Sequence, residues 1–210
     1  MRHFKNFMLF LMVAGVCCIS GCKTKAGSTL EPIVKTTFGE VRGSYSDTVY
    51  AFKGIPYAKA ERFMPPQDPD AWDNVLECKN FGFVAKQIVP WIPDSTQDEK
   101  KLFNLNVWTQ GINDGKKRPV MVWLHGGGFH VGSSNDPMTY GQALAKKGDI
   151  VVVSVNHRLN ILGFLDLSAC GEKYAQSANV GMLDIVKALQ WVKNNIENFG
   201  GDPSNVTIFG

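Results

Sequence analysis

At 210 residues the chain is long enough to bury one sizeable core, and a composition 44% apolar and 20% charged excludes intrinsic disorder. The formal charge of +3 is a local effect: Arg2, Lys5, Lys23 and Lys25 bring four positive charges to a stretch with no acid, leaving −1 for the rest. That balance excludes a basic nucleic-acid surface, so no nucleic-acid partner is expected.

The first segment is an address and not a fold element. Two cationic residues, Arg2 and Lys5, precede an apolar run from Phe7 to Ile19, and small Ser20 and Gly21 lead to Cys22. The run is short for a bilayer span and suits an export signal over residues 1–21. The junction ISGC is similar to a bacterial lipobox, whose cysteine is acylated, so Cys22 is the expected lipidation site and a membrane surface the expected partner. Acyl chains contribute about 0.8 kcal/mol per buried methylene. The protein is then an exported lipoprotein on the periplasmic or cell-surface face. A plain secreted form is the alternative, and an uncleaved anchor a third reading. Residues 22–32 form a tether and 33–210 the domain. Cys78 and Cys170 remain, either paired in the oxidising compartment or as two buried thiols.

From Ile33 to Lys53, three short β-branched or alternating segments (IVKTT, EVRGS, TVYAFK) predict an antiparallel meander. GIPYAKAERFMPPQDPDAW follows as an irregular loop, rich in proline and aromatic residues. Leu102 to Thr109 resumes strand character. PVMVWLH is apolar on both alternating faces, which predicts a strand buried on both sides as in a parallel sheet. A helical stretch near Met138 to Lys147, the strand DIVVVSVN, a loop carrying HRLNILGF, a long helix and the strand NVTIF complete the order. On the long helix Met182, Ile185, Val186, Leu189, Val192, Ile196 and Phe199 recur at steps of three and four, predicting one buried face ended by Gly200 and Gly201. Strands alternating with amphipathic helices imply an α/β fold with a mostly parallel sheet.

HGGGF, His125 to Phe129, directly follows PVMVWLH. Consecutive glycines let backbone N–H groups turn toward one point, as a hole for a developing oxyanion requires, with Gly127 and Gly128 as donors. A flexible glycine turn is the plain alternative; a phosphate loop is disfavoured because no Lys-Ser/Thr follows. His125 and His130 have no carboxylate or cysteine at ligand spacing, so no metal is expected. His157 is a satisfied strand-end histidine and Asp184 a helix-start or packing residue in this reading. The terminal NVTIFG has the character of a strand leading into a G-x-S-x-G elbow, with Gly210 as its first glycine.

Taken together, FGEVRG, FKGIPYAKAERFMPP, LNVW, PVMVWLHGGGFHVGSS, DIVVVSVNHRLNILGFL and NVGMLDIVKALQWVKNNIENFGGDPSNVTIFG resemble the type-B carboxylesterase and cholinesterase-like family of α/β-hydrolases. The resemblance runs from Ile33 to Gly210 in family order. It implies the N-terminal part of the α/β-hydrolase fold: a small antiparallel meander, then a mostly parallel sheet with flanking helices, up to the strand that leads to the nucleophile. It also implies a serine carboxylic ester hydrolase acting on a small-molecule ester without a cofactor, with Gly127 and Gly128 on the oxyanion-hole glycines. Asn156, Arg158, Asn179 and Asp184 fall on scaffold positions. The serine, the acid and the triad histidine fall beyond Gly210, so these 210 residues alone are expected to be inactive and to fold poorly, with an apolar edge on the last strand. A non-catalytic cholinesterase-like binding or adhesion protein is the alternative. Two family cysteines are replaced by Ala85 and Leu102, which implies a looser loop around Trp91, and His157 stands where tyrosine is usual.

Overall fold

The strand-forming segments fold into two sheets, and the break between them falls inside the predicted meander. The computed structural model describes residues 32–210; the signal, Cys22 and the tether up to residue 31 lie outside the described residues. β1 (Ile33–Lys35) and β2 (Glu40–Arg42) pair antiparallel, as do β3 (Ser44–Ser46) and β4 (Val49–Pro56). The two hairpins belong to different sheets because the chain turns at Gly43, where a Cβ would run into the Ala51 carbonyl and the Phe52 ring. β5 (Leu76–Glu77) adds in parallel to β2, and its Glu77 pairs with Arg42. Two residues are too few to show periodicity, so β5, just after the predicted irregular stretch, left no signal in the sequence.

The six-stranded sheet runs β3-β4-β6-β8-β7-β9, with β6 at Asn104–Thr109, β7 at Arg118–Leu124, β8 at Val151–Val155 and β9 at Gly201–Phe209. It is antiparallel from β3 through β8 and parallel across β8, β7 and β9. Parallel neighbours need crossovers, supplied by α1 (Gln142–Gly148) between β7 and β8 and by α3 (Val180–Asn195) between β8 and β9. Val120, Val122, Val151 and Val153 meet Ala188, Trp191 and Val192 of α3 in the main core. Val49, Ala51, Trp108 and Val152 point the other way and pack with Ala145 of α1. Each such buried valine contributes about 1.5–3 kcal/mol.

Three local expectations are corrected. β7 is not buried on both faces: Val120 and Val122 are, but Met121 and Trp123 are only half-buried. The cluster around α1 draws on β4, β6 and β8, and β9 is a sheet edge among the described residues, with Ile208 51% exposed. The predicted HRLNILGF loop contains a short helix, α2 (Asn160–Phe164). On α3 the buried face is rotated from the apolar stripe. Met182 and Val186 are exposed at 42% and 49%, whereas Asp184 and Asn195 are inside. The polar residues take those places because they have partners: Asn195 accepts from Thr37 N at 2.7 Å and donates to Trp191 O at 2.8 Å. Gly200 ends the helical run in the left-handed region at φ +75°, as expected.

Neither reading of the cysteines holds. Cys78 and Cys170 are both free, Cys78 is buried and Cys170 exposed. Burial pushes the Cys78 thiol up to about 12. Ala85 and Leu102 are both in the main core, filling with apolar volume the places where a disulfide would sit.

Candidate active site

β7 ends at the top of the sheet in a turn that no ordinary L-residue sequence would adopt. Gly127, Gly128 and Phe129 follow one another at φ +118°, +60° and +61°. The left-handed region costs a residue with a Cβ about 1–2 kcal/mol. Phe129 meets that cost with ring contacts to Phe164 at 5.0 Å and His157 at 6.3 Å, and with its carbonyl, which accepts from Asn160 N at 2.7 Å. The Gly127 carbonyl accepts from His130 N at 3.1 Å and Val131 N at 3.3 Å. In a planar trans peptide the N–H points away from the carbonyl, so anchoring one aims the other. Among the described residues the N–H groups of Gly127 and Gly128 have no partner. Two exposed, unpartnered donors on a constrained turn can receive an anionic oxygen.

The exit of the turn is tied down by side-chain amides. Gln87 brackets Gly132, donating to its carbonyl at 2.9 Å and accepting from its N–H at 2.7 Å. Ser134 N donates to Asn156 Oδ1 at 2.9 Å, and Asn106 Nδ2 donates to Ser134 Oγ and Ser154 Oγ, each at 3.0 Å. Asn156 Nδ2 reaches Asn104 Oδ1 at 3.1 Å, while Tyr57 Oη donates to the Asn156 carbonyl at 2.7 Å. Asn106 and Asn156 are buried and satisfied, which makes such a network rigid. Sequence reasoning placed Asn156 as scaffold but missed Gln87, Asn104 and Asn106. The alternation of asparagine with leucine in NLNVW was the available signal.

His125 and His157 sit at the ends of the paired strands β7 and β8 and stack face to face, with centroids 4.7 Å apart and planes 8° from parallel. Their Nδ1 atoms lie 2.9 Å from the Gly126 and Arg158 carbonyls. A carbonyl only accepts, so each contact is a hydrogen bond in the tautomer that carries its proton on Nδ1. Burial, and after it His157, pushes His125 down to about 4; burial also lowers His157. Exposed His130 is outside the stack, and no group of three or more His, Cys, Asp or Glu that could hold a metal occurs among the described residues.

The pair sets a pH dependence. Folded rings that stay neutral while unfolded ones protonate near 6.5 leave the unfolded state with more bound protons. The contribution of His125 is therefore full above about pH 6.5 and falls as the pH drops toward about 4, by at most about 1.4 kcal/mol per pH unit, and His157, also lowered, acts in the same direction. Urea midpoints between pH 7 and 4.5 are expected to fall less in His157→Phe than in wild type; parallel slopes would refute this.

Beside the turn opens a cleft of about 640 Å³, with Ile88, Val131, Ile161 and Leu162 among its apolar lining and Arg62 and His130 among its polar lining. On the opposite side lies β9. Its Phe209 pairs with Trp123 in parallel register, and a Cβ on Gly210 would strike the Leu124 carbonyl. Gly210 thus sits beside Leu124, two residues before the first glycine of the turn.

Comparison with known proteins is concordant. A family model described as the carboxylesterase family matches residues 30–210. The para-nitrobenzyl esterase of Bacillus subtilis (strain 168) is 42% identical over 187 residues, covering 85% of this chain and 37% of the relative. Phenmedipham hydrolase of Pseudarthrobacter oxydans is 37% identical over 191 residues, covering 85% and 37%. Among solved structures, a Geobacillus stearothermophilus carboxylesterase superposes with a TM-score of 0.79 at 50% identity, over 85% of this chain and 37% of that one. An esterase of Clostridium hathewayi, which can hydrolyse aliphatic aromatic polyesters, gives 0.82 at 47% identity, over 87% and 38%. The chain spans about 37% of the length of the curated relatives it matches.

Proposed function

The chain belongs to the carboxylesterase family, with the α/β-hydrolase architecture of its relatives, and from that premise we propose that the protein hydrolyses carboxylic esters, with the N–H groups of Gly127 and Gly128 holding the oxyanion. The observation that carries this reading is the parallel pairing of β9 with β7, which sets Gly210 against Leu124, on the strand that runs into the turn with the two unpartnered donors. A serine two places after Gly210 would then stand within reach of the same carbonyl.

In this mechanism the serine Oγ attacks the ester carbon as a histidine takes its proton. The carbonyl oxygen becomes the oxyanion, and the alcohol leaves with that proton. Water then attacks the acyl-serine, releasing the acid and restoring the serine. The serine, its histidine and the acid come after Gly210 in this proposal, so residues 1–210 supply donors and no nucleophile. No cofactor enters. The leader and the ISGC junction support export and acylation at Cys22, which would hold the enzyme on a membrane surface.

The full gene product is expected to react with a fluorophosphonate probe at the residue two places after Gly210 and to sediment with membranes unless Cys22 is replaced by serine. A residue other than serine there, with no labelling, would reject the enzyme in favour of a non-catalytic binding protein. A Cys22→Ser variant that still sediments would reject the anchor.

A further inference from the structure

We propose that His125 is a positioning residue of the oxyanion site: its Nδ1–H fixes the Gly126 carbonyl and so aims the Gly127 N–H. The inference rests on the ester-hydrolysis reading above and deepens it. The Gly126 carbonyl and the Gly127 N–H belong to one planar trans peptide, so they point in opposite directions. Whatever grips the carbonyl sets the direction of the donor. The group within hydrogen-bonding reach is His125 Nδ1 at 2.9 Å, and the acceptor being a carbonyl requires that this nitrogen carry the proton.

The rest of the surroundings restrain the ring. His157 lies parallel to it at 4.7 Å and is itself held through Nδ1 to the Arg158 carbonyl at 2.9 Å. On another side the chain returns at Gly132, φ +108°, where a Cβ would intrude on the Gly126 carbonyl oxygen and on His125 Nδ1. Gln87 holds Gly132 in that place from both its N–H and its carbonyl. The His125 bond is thus flanked by a stacked ring and a clamped glycine. The Gly128 donor has a different anchor, the Gly127 carbonyl bonded to His130 and Val131, so His125 governs one donor and not both. The glycines supply the conformation of the hole; His125 supplies the direction of its first donor.

The test uses the full-length gene product and a chromogenic p-nitrophenyl ester. His125→Phe keeps a ring against His157 and removes the donor, while His125→Asn places an amide N–H near the position of Nδ1 and removes the ring. Misaiming a catalytic group by about 1 Å costs on the order of 100-fold. His125→Phe is therefore expected to lower kcat roughly 10- to 100-fold with KM within about threefold and the melting temperature retained, and His125→Asn to recover most of kcat. A His125→Phe kcat within about threefold of wild type, or a His125→Asn enzyme as slow as His125→Phe, would overturn the inference. If His125→Phe does not fold, long-range proton–nitrogen NMR on the wild type decides: protonated Nδ1 is expected, and a proton on Nε2 overturns the inference. Gly128→Val separates the two levels. Turnover unchanged by Gly128→Val removes the oxyanion reading itself, whereas a slow Gly128→Val beside a fast His125→Phe removes only the role of His125.

Discussion

Asp184→Asn is expected to destabilise the fold by about 3–5 kcal/mol, a large part of the total stability of a domain this size. The carboxylate receives Arg158 through the main-chain N–H at 3.0 Å, Nε at 2.8 Å and Nη2 at 2.6 Å. Both side chains are out of water, at 2% and 0% exposure. Arg158 also donates to the carbonyls of Met64 at 2.8 Å and Val180 at 3.4 Å and lies over the Phe103 ring at 5.1 Å. One guanidinium therefore ties the loop after β4, the start of α3 and the end of β8 together. The asparagine would leave that cation without its counter-charge in a medium of low dielectric, and the penalty is the desolvation of the orphan more than the loss of one attraction. The double variant Arg158→Met/Asp184→Leu, which removes both charges, is expected to recover part of the loss. Urea denaturation measures both. An Asp184→Asn midpoint shift worth under about 1 kcal/mol would show that the pair is not the tie described.

Gly128→Val is expected to reduce ester turnover on the order of 100-fold in the full gene product, with a stability loss of about 1–2 kcal/mol because its φ of +60° disfavours a Cβ. A Cβ at Gly128 meets nothing within 4 Å, so the added side chain stands in open space and not in the core, and the strain it brings is that of the backbone at φ +60°. Gly127 differs. There a Cβ would enter the Val131 carbonyl, and φ +118° suits glycine alone. Gly127→Ala must therefore rearrange the turn, and it is expected to lose turnover together with the hydrogen bonds of His130 and Val131 to the Gly127 carbonyl. Steady-state kinetics with a p-nitrophenyl ester, read beside thermal unfolding, distinguish the two. Full activity in Gly128→Val would mean that an ester carbonyl does not bind at this turn.

The order of elements, the glycine turn after a buried strand and the family were legible before any coordinates. Each is written in neighbouring residues: HGGGF after PVMVWLH, glycines after a helical period, β-branched runs between turns. The same local logic misplaced the inner face of α3. Hydropathy assigned Met182 and Val186 to the core and Asp184 to a helix start or packing, because it averages over burial and has no knowledge of partners. A carboxylate reaches zero exposure only when a cation 26 residues upstream arrives with it. His157 was placed correctly as satisfied, yet its stack on His125 depends on β7 and β8 being parallel neighbours, which no spacing states.

The sequence by itself determined an α/β chain with two candidate donors, since backbone conformation at glycines and strand propensity are local properties, and its run of motifs carried the resemblance to the carboxylesterase family. Only the tertiary structure decided which partners hold those donors in place. Gln87, His125, Asn156, Arg158 and Asp184 act across gaps in sequence or across a single peptide plane. Electrostatic and hydrogen-bonding energies depend on angstrom distances through space and not on separation along the chain.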